Sequence, residues 1–454
     1  MKILFIHTAD LHLGSPLKTA GNLSPQLQEM LQRAAYTAFE RIVHTALEYD
    51  VDFMLISGDI YDDDSRSVAA NSFFVEQMER LKEKNIPVFI IYGNHDPISE
   101  NIELFKLPDN VEVFDAEVPE TFEVADKRGK TARIIGQSYR IPGETRKMHL
   151  NYSFPNDGVL NIGMLHTSLS TSANIHVPCS LGELKGISGI HYWALGHIHK
   201  PQIIHKSHPV IAFPGIPQGR DMGEQGLRGF FLVEAQHPDT PGVYFIPTSP
   251  IIWIEKEVSI ESSHGLEDID NIEELILTAG NELKESPLPL PHSSLEPKGF
   301  GFTPDGYIVR WVITGRGTIH ERVIEGKEEE IAAHLEQVLR ENMDMNKPFV
   351  WTESVRINTR SPMPDMDDLI EKDEIIRILN DICSQMEREP ELREKALSLL
   401  GNIWQRPTPE GSIPLDAVPL GEEKFRYLLE LAQNMAVECI LKERERIENS
   451  QDLF

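Results

Sequence analysis

The N-terminal half of this chain is predicted to be an α/β fold in which parallel strands with crossover helices pack on a second, mixed β-sheet. A small α+β region and a helical C-terminal section follow it. Three observations predict this. Apolar runs of strand type alternate with amphipathic helical segments over the first third. After about residue 111 the strand runs shorten and turn signals crowd in, as at Arg140-Ile141-Pro142-Gly143. The last section carries helical apolar stripes.

Ile3 to Ile6 is the first strand, and a helix is predicted from Ser24 to Tyr49. Leu27, Met30, Leu31, Ala34, Ala38, Ile42 and Ala46 fall at helical spacing there, with Ser24 as N-cap and Pro25 as first helical residue. Phe53 to Ile56 is the second strand, Asn71 to Lys84 the second helix (Phe74, Val75, Met78, Leu81) and Val88 to Ile91 the third strand. This βαβ order predicts parallel strands with crossover helices. Ile162 to Leu165 and Tyr192 to Leu195 are further strands, and Phe230 to Val233 closes a first domain over residues 1–240. The turn His237-Pro238-Asp239-Thr240-Pro241-Gly242 follows, between strands or domains. A small α+β domain is expected over 243–355, with a strand at Tyr307 to Ile313, a helix at Lys327 to Asn342 and a loop from Pro287 to Phe302. In the helical region 363–454, one stripe runs through Ile375, Ile376, Leu379, Ile382, Cys383 and Met386, and another through Phe425, Leu428, Leu429, Ala432, Met435, Ala436 and Cys439. The Pro-rich segment Pro407 to Pro419 separates them. Periodicity leaves open whether these helices form a packed subdomain or a docking element.

Composition narrows the function classes. The 454 residues exceed what one core usually fills. No apolar stretch approaches the roughly 20 residues that span a bilayer, and the opening apolar run breaks at His7 and Asp10, so it reads as a core strand rather than a leader. Cys179, Cys383 and Cys439 are widely spaced, which excludes a disulfide framework or zinc ribbon and suits the cytoplasm. The net charge of −29 opposes unaided binding of nucleic acid through a basic face. Any such contact needs a local patch, bound metal ions or a more basic partner.

Five motifs carry chemistry: Asp10-Leu11-His12, Gly58-Asp59-Ile60-Tyr61-Asp62, Gly93-Asn94-His95-Asp96, His166-Thr167 and Gly196-His197-Ile198-His199. Each follows a strand-type run, so all five gather along one sheet edge, where open α/β folds place their sites. Divalent ions such as Mn²⁺ accept mixed carboxylate, imidazole and amide ligands. Asp59 is the natural bridge between two ions, and Gly58 and Gly93 are expected to let the backbone turn sharply. Taken singly, His7, His44, His176, His191, His205 and His208 read as ordinary core or surface histidines.

The five motifs, with Asp10-Leu11-His12-Leu13-Gly14 and Pro214-Gly215-Ile216-Pro217-Gln218-Gly219-Arg220, resemble the calcineurin-like metallophosphoesterase superfamily over roughly residues 1–235. In detail they look most like the SbcD-type DNA exonuclease subunits, particularly the YhaO-like branch. The resemblance implies the four-layer metallophosphoesterase sandwich, two mixed β-sheets flanked by helices, and two divalent ions, Mn²⁺ being expected. It implies Asp10, His12, Asp59 and His199 on the first ion and Asp59, Asn94, His166 and His197 on the second. His95 is then the proton donor or transition-state stabiliser, while Asp62 and Asp96 support the ligands and Arg220 is a candidate phosphate or DNA contact. The protein Ser/Thr phosphatases differ: they carry Arg-Gly after the second motif and end the third in glutamate, whereas here Asp63-Asp64 follows Asp62 and the third motif ends in Asp96. The relatives among double-strand-break nucleases have histidine where Asp62 stands. The implied function is Mn²⁺-dependent DNA exonuclease activity, with endonuclease activity as an addition, acting in repair with an SbcC-like ATPase of the ABC type. The C-terminal helices are the candidate docking element, 243–355 a DNA-positioning cap, and homodimerisation through the Asn71–Lys84 helix is open. The alternative is a phosphodiesterase for cyclic or dinucleotide substrates. A non-catalytic scaffold is disfavoured, because such proteins usually lose ligands and every ligand is here.

Overall fold

The structure is a computed structural model, which describes residues 3–62, 67–100, 105–125, 129, 131–155, 157–170, 175–261, 268–286, 288–291, 302–342, 344, 346–362, 366–399 and 422–451. Strands β1 (Ile3–Thr8), β2 (Phe53–Ser57), β3 (Val88–Ile91) and β4 (Val111–Val113) lie side by side in parallel. A second sheet holds β5 (Glu120–Ala125), β6 (Thr131–Gly136), β7 (Leu160–His166), β8 (Tyr192–Gly196), β9 (Gln202–His205) and β10 (Val210–Phe213), in the order β5-β6-β7-β8-β10-β9. Its centre, β6-β7-β8-β10, is parallel, and its edge strands are antiparallel. β11 (Gly229–Ala235) and β12 (Gly242–Pro247) then return antiparallel beside β1 and complete a first sheet of six. The turn at 237–242 thus joins two strands of one sheet, which continues past residue 240.

Both sheets are buried on both faces, so their central strands read as continuous apolar runs rather than alternating ones. Between the sheets, Phe5, Phe53, Leu55, Phe89 and Ile91 meet Ile134, Ile162, Met164, Tyr192 and Ala194. Phe5 stacks on Phe53 at 4.9 Å and meets Tyr192 edge-on at 5.5 Å. Phe53→Ala is expected to cost about 3–5 kcal/mol, read by denaturant unfolding.

Helices α1 (Pro25–Glu48) and α2 (Val68–Lys82) cover the outer face of the first sheet, with Phe39, Ile42, Val43, Phe74 and Met78 against Ile6, Met54 and Ile56. α1 starts as expected: the Ser24 side chain accepts from the Leu27 N–H and Pro25 opens the helix. α2 starts three residues before the expected Asn71, because Ser67 caps the Ala70 N–H. The added Val68 is solvent-exposed and carries no periodic signal. α3 (Leu181–Gly186) lies on the outer face of the second sheet, held by a Ser180–Glu183 capping box.

β13 (Ile251–Ser259), β14 (Gly306–Arg316) and β15 (Phe349–Arg360) form a three-stranded sheet, accompanied by α4 (Ile269–Glu285), α5 (Ile319–Glu325) and α6 (Glu328–Glu341). This sheet shares a core with α1: Leu27, Leu31 and Ala34 pack on Ile251, Trp253, Ile308, Phe349 and Trp351. Residues 1–315 and 321–359 accordingly form one compact unit.

A second unit comprises 316–320 and 360–454 and contains α7 (Met366–Lys372), α8 (Glu374–Arg388), α9 (Pro390–Leu399) and α10 (Glu422–Gln451). Asp373 caps α8 by accepting from the Ile375 and Ile376 N–H groups. α8 packs on α7, α9 and α10, with Gln433 donating to Asn380. Ile376 and Cys383 point inward, whereas Ile375, Ile378 and Ile382 of α8 and Tyr427, Leu431 and Met435 of α10 are exposed. The segment Pro407 to Pro419 lies outside the described residues. Among the described residues, no helix is long and apolar enough to cross a membrane.

Candidate metal centre

The parallel strands of both sheets deliver the five motifs to one edge. β1 ends at Thr8, just before Asp10 and His12; β2 at Ser57, before Asp59 and Asp62; β3 at Ile91, before Asn94, His95 and Asp96. From the other sheet, β7 ends on His166 and β8 runs into His197 and His199. Backbone pairing continues past the strands, with Asp10 N–H to Gly58 O at 2.9 Å and His12 N–H to Asp59 O at 3.1 Å. Asp10, His12, Asp59 and His197 all take left-handed φ, at 53, 43, 54 and 96°. Such strain in non-glycine residues persists only where surroundings over-determine it, and it clusters at functional sites.

The two glycines serve different purposes. Gly58 turns the chain at φ 94°, as expected, and a Cβ there would lie 2.3 Å from His166 Nδ1. Gly93 has no left-handed φ; it is required by close approach, since a Cβ would stand 2.2 Å from Asp59 Oδ1. Gly93→Ala is therefore expected to displace the Asp59 carboxylate and weaken metal binding by about 10–100-fold, as loss of outer support does, measured by Mn²⁺ calorimetry.

The ligand atoms of Asp10, His12 and His199 lie within 4.8 Å of one another, and so do those of Asp59, His166 and His197. His12 Nε2 and His199 Nε2 face each other at 3.2 Å. His12 Nδ1 is 2.5 Å from Asp62 Oδ1 and His199 Nδ1 is 2.5 Å from Glu224 Oε1. Carboxylates only accept, so each Nδ1 carries the proton, and the two Nε2 atoms face each other as bare acceptors. His166 is held in the same way: its Nδ1 donates to Ser57 O at 2.9 Å, and its Nε2, which carries a proton while no cation is bound, points at Asn94 Oδ1 at 3.0 Å and Asp59 Oδ2 at 3.3 Å. Asn94 Oδ1 also lies 2.9 Å from His197 Nδ1. Acceptors converging on acceptors in a buried site call for a cation, so this donor set fits two divalent ions.

The protein's own field agrees. Burial lowers the His166 pKa, but the charges of Asp59 and Asp10 overcome it and raise it to about 9. Burial opposes ionisation of Asp59, yet the neighbouring His166 holds its carboxyl well below the usual range. Burial raises Asp10, and burial with the charge of His166 lowers His197 to about 3. The carboxylates draw positive charge into the cluster, the demand that a cation meets.

The remaining expected residues surround this core. His95 is 40% exposed at the mouth; its N–H donates to Asp59 Oδ1 at 3.0 Å, and its Nδ1 is 3.5 Å from Asp62 Oδ1. Asp62 also accepts from Ser15 Oγ and from Arg220. Asp96 stays out of both clusters: its oxygens accept from Gly93 N–H at 2.8 Å and Ile60 N–H at 2.6 Å, pinning the second motif to the third. Burial and the charge of Asp59 push Asp96 up to about 7. Arg220 pairs with Asp62 at 3.3 Å and Glu224 at 3.2 Å, so its guanidinium is engaged within the protein. Sequence reasoning missed Glu224, whose only signal is its place four residues after Arg220 in the loop that follows the last motif. It also missed Tyr139, whose hydroxyl donates to His166 O at 2.9 Å. His176, read as an ordinary histidine, stacks on His197 with ring centroids 4.8 Å apart.

Paired mixed sheets that converge buried carboxylates and imidazoles at one strand edge define the metallophosphoesterase class. Residues 3–201 match the calcineurin-like phosphoesterase family, and the chain contains a calcineurin-like metallophosphoesterase domain. It is 32% identical over 265 residues to the uncharacterized metallophosphoesterase YhaO of Bacillus subtilis (strain 168), covering 58% of this chain and 65% of that protein. It is 24% identical over 294 residues to the DNA double-strand break repair protein Mre11 of Archaeoglobus fulgidus, covering 58% of this chain and 63% of that one. The matched stretches thus span just under two thirds of these relatives. A crystal structure of a dimetal phosphatase from Danio rerio aligns with 53% of this chain and 98% of its own, at 12% identity and a TM-score of 0.34.

Proposed function

We propose that this chain is a Mn²⁺-dependent DNA exonuclease, with endonuclease activity as an addition, hydrolysing phosphodiester bonds in cytoplasmic DNA repair alongside an SbcC-like ABC-type ATPase. The observation that carries the reading is the pair of acceptor clusters, Asp10 with His12 and His199, and Asp59 with His166 and His197. Asp10, His12, Asp59 and His199 hold the first ion, and Asp59, Asn94, His166 and His197 the second. The mixture of imidazole, carboxylate and amide suits Mn²⁺. When bound, two such ions neutralise charge on a phosphate and lower the pKa of an attacking water. His95, at the mouth, donates to the leaving oxygen. Relatives bearing the name of a double-strand break repair protein support DNA as the substrate.

The net charge of −29 is accommodated if the ions and a basic partner supply the attraction for DNA. The exposed stripes Ile375, Ile378, Ile382 and Tyr427, Leu431, Met435 support the second unit as the docking element. Self-association through α2 completes the partner set and is read by light scattering. The same charge favours a second reading, a phosphodiesterase for small cyclic or dinucleotide substrates, which need no basic surface.

The test is Mn²⁺-dependent release of nucleotides from end-labelled linear duplex DNA. Release by the wild type establishes the nuclease. Turnover of a generic phosphodiester without release from DNA moves the reading to the small substrate. Mn²⁺ is also expected to raise the melting temperature and a chelator to lower it; at a hundredfold excess over Kd the stabilisation is about 2.7 kcal/mol.

A further inference from the structure

The two clusters are built unequally. Both histidines of the first are buttressed by carboxylates, His12 by Asp62 and His199 by Glu224, each at 2.5 Å. Arg220 ties the two carboxylates together, with its guanidinium 3.3 Å from Asp62 Oδ2 and 3.2 Å from Glu224 Oε1, and its backbone N–H donates to Glu224 Oε2 at 2.7 Å. The side chains His12, Asp62, Arg220, Glu224 and His199 therefore form a closed ring that ends in the two facing Nε2 atoms. Asp62 and Glu224 bring two negative charges, of which Arg220 cancels one.

Among the described residues, the second cluster has no such support. His166 Nδ1 leans on the neutral carbonyl of Ser57, and Asn94 contributes a neutral amide. His197 turns Nδ1 toward Asn94, and among the described residues no hydrogen bond holds its Nε2; its ring is instead stacked by His176, at 4.8 Å and 28°. The backbone at His176 and Val177 is shaped for this. His176 and Val177 both take left-handed φ, at 58 and 51°, costly for a β-branched residue. Thr167 Oγ1 donates to Val177 O at 2.8 Å, and Val177 N–H donates to Glu144 O at 2.9 Å, so the conformation is over-determined.

We propose that the first ion is the tightly held one and the second the exchangeable one, with Arg220 and Glu224 as positioning residues of the first site and His176 of the second. The inference rests on the two-metal reading above. An anionic partner behind an imidazole raises its basicity and fixes its ring, and removing such a partner typically costs about 10–100-fold in metal affinity. Two buttresses against none predict separation of the same order or more. Loading of the second site then sets how activity responds to metal concentration.

The test is Mn²⁺ titration of the full chain by calorimetry, with electron paramagnetic resonance to report when the two ions become coupled. Two binding steps are expected, at least about tenfold apart, with coupling appearing only in the second. Glu224→Gln is expected to weaken the tight step by about 10–100-fold and spare the weak one. Arg220→Ala should act in the same direction, with Arg220→Lys restoring part of the loss. His176→Ala should weaken only the weak step, and His176→Phe, which keeps a flat ring, should restore it. If His176→Ala does not fold, His176→Leu fills the space without a flat ring and should show the same loss. Two equivalent ions, or variants that weaken both steps alike, overturn the inference. No bound ion in the wild type overturns the two-metal reading instead.

Discussion

His95→Ala is expected to lower turnover by about 10²–10⁴-fold, the usual range for a lost general acid, while both ions stay bound. The separation follows from position. His95 lies outside both ligand groups; its backbone N–H donates to Asp59, a contact that alanine keeps, and its ring only meets that of His12 edge-on, at 5.2 Å between centroids, while His12 stays held by Asp62. Its side chain is 40% exposed, so truncation leaves no buried cavity. Asp62, 3.5 Å from its Nδ1, orients the ring and is itself held by Arg220. Metal content by mass spectrometry together with turnover of end-labelled DNA or a generic phosphodiester decides it. Near-normal turnover would remove His95 from the mechanism, and loss of metal along with turnover would make it structural.

Asp59→Ala is expected to abolish detectable turnover and to remove the coupled two-ion signal altogether. Asp59 is buried, with Oδ1 accepting from His95 N–H and Oδ2 3.3 Å from His166 Nε2, while its backbone carbonyl accepts from His12 N–H at 3.1 Å. No neighbour replaces it, since Asp10 serves the first group and Asp96 is committed to two backbone amides. The variant also changes the metal-free protein. Asp59 is ionised in the fold below its unfolded pKa, so its favourable contribution is present above the ordinary carboxylate range and is lost as pH falls below that range. Metal-free Asp59→Ala should therefore lose stability relative to the wild type at neutral pH, with the gap closing in acid. A variant that still binds two coupled ions would show that Asp59 does not bridge them.

Much of this arrangement was legible because it is local. A parallel strand buried on both faces writes itself as an apolar run, and the residues just past its end must sit at the sheet edge. Asp10, Asp59, Asn94 and His197 are therefore placed by the strand they follow, and His166 by the strand it ends. The start of α1 was equally legible, since Ser24 and Pro25 act within one turn. The start of α2 was not, because exposed Val68 adds nothing to a periodic stripe while Ser67 sets the cap. β13 and β15 were missed, and the shared core with α1 could not be seen in the order of residues, because Leu27 meets Trp253 and Phe349 only across distant parts of the chain.

The sequence by itself determined which donors occur and on which strand ends. Only the tertiary structure decided how each donor is held. Glu224 reaches His199 across 25 residues, Arg220 reaches Asp62 across 158 and Ser57 reaches His166 across 109. These contacts fix tautomers and charge, and they depend on loops from separate strands meeting in space, which no local pattern encodes. The need for glycine at position 93 belongs with them, since it arises from the carboxylate of Asp59 and not from any turn in its own segment.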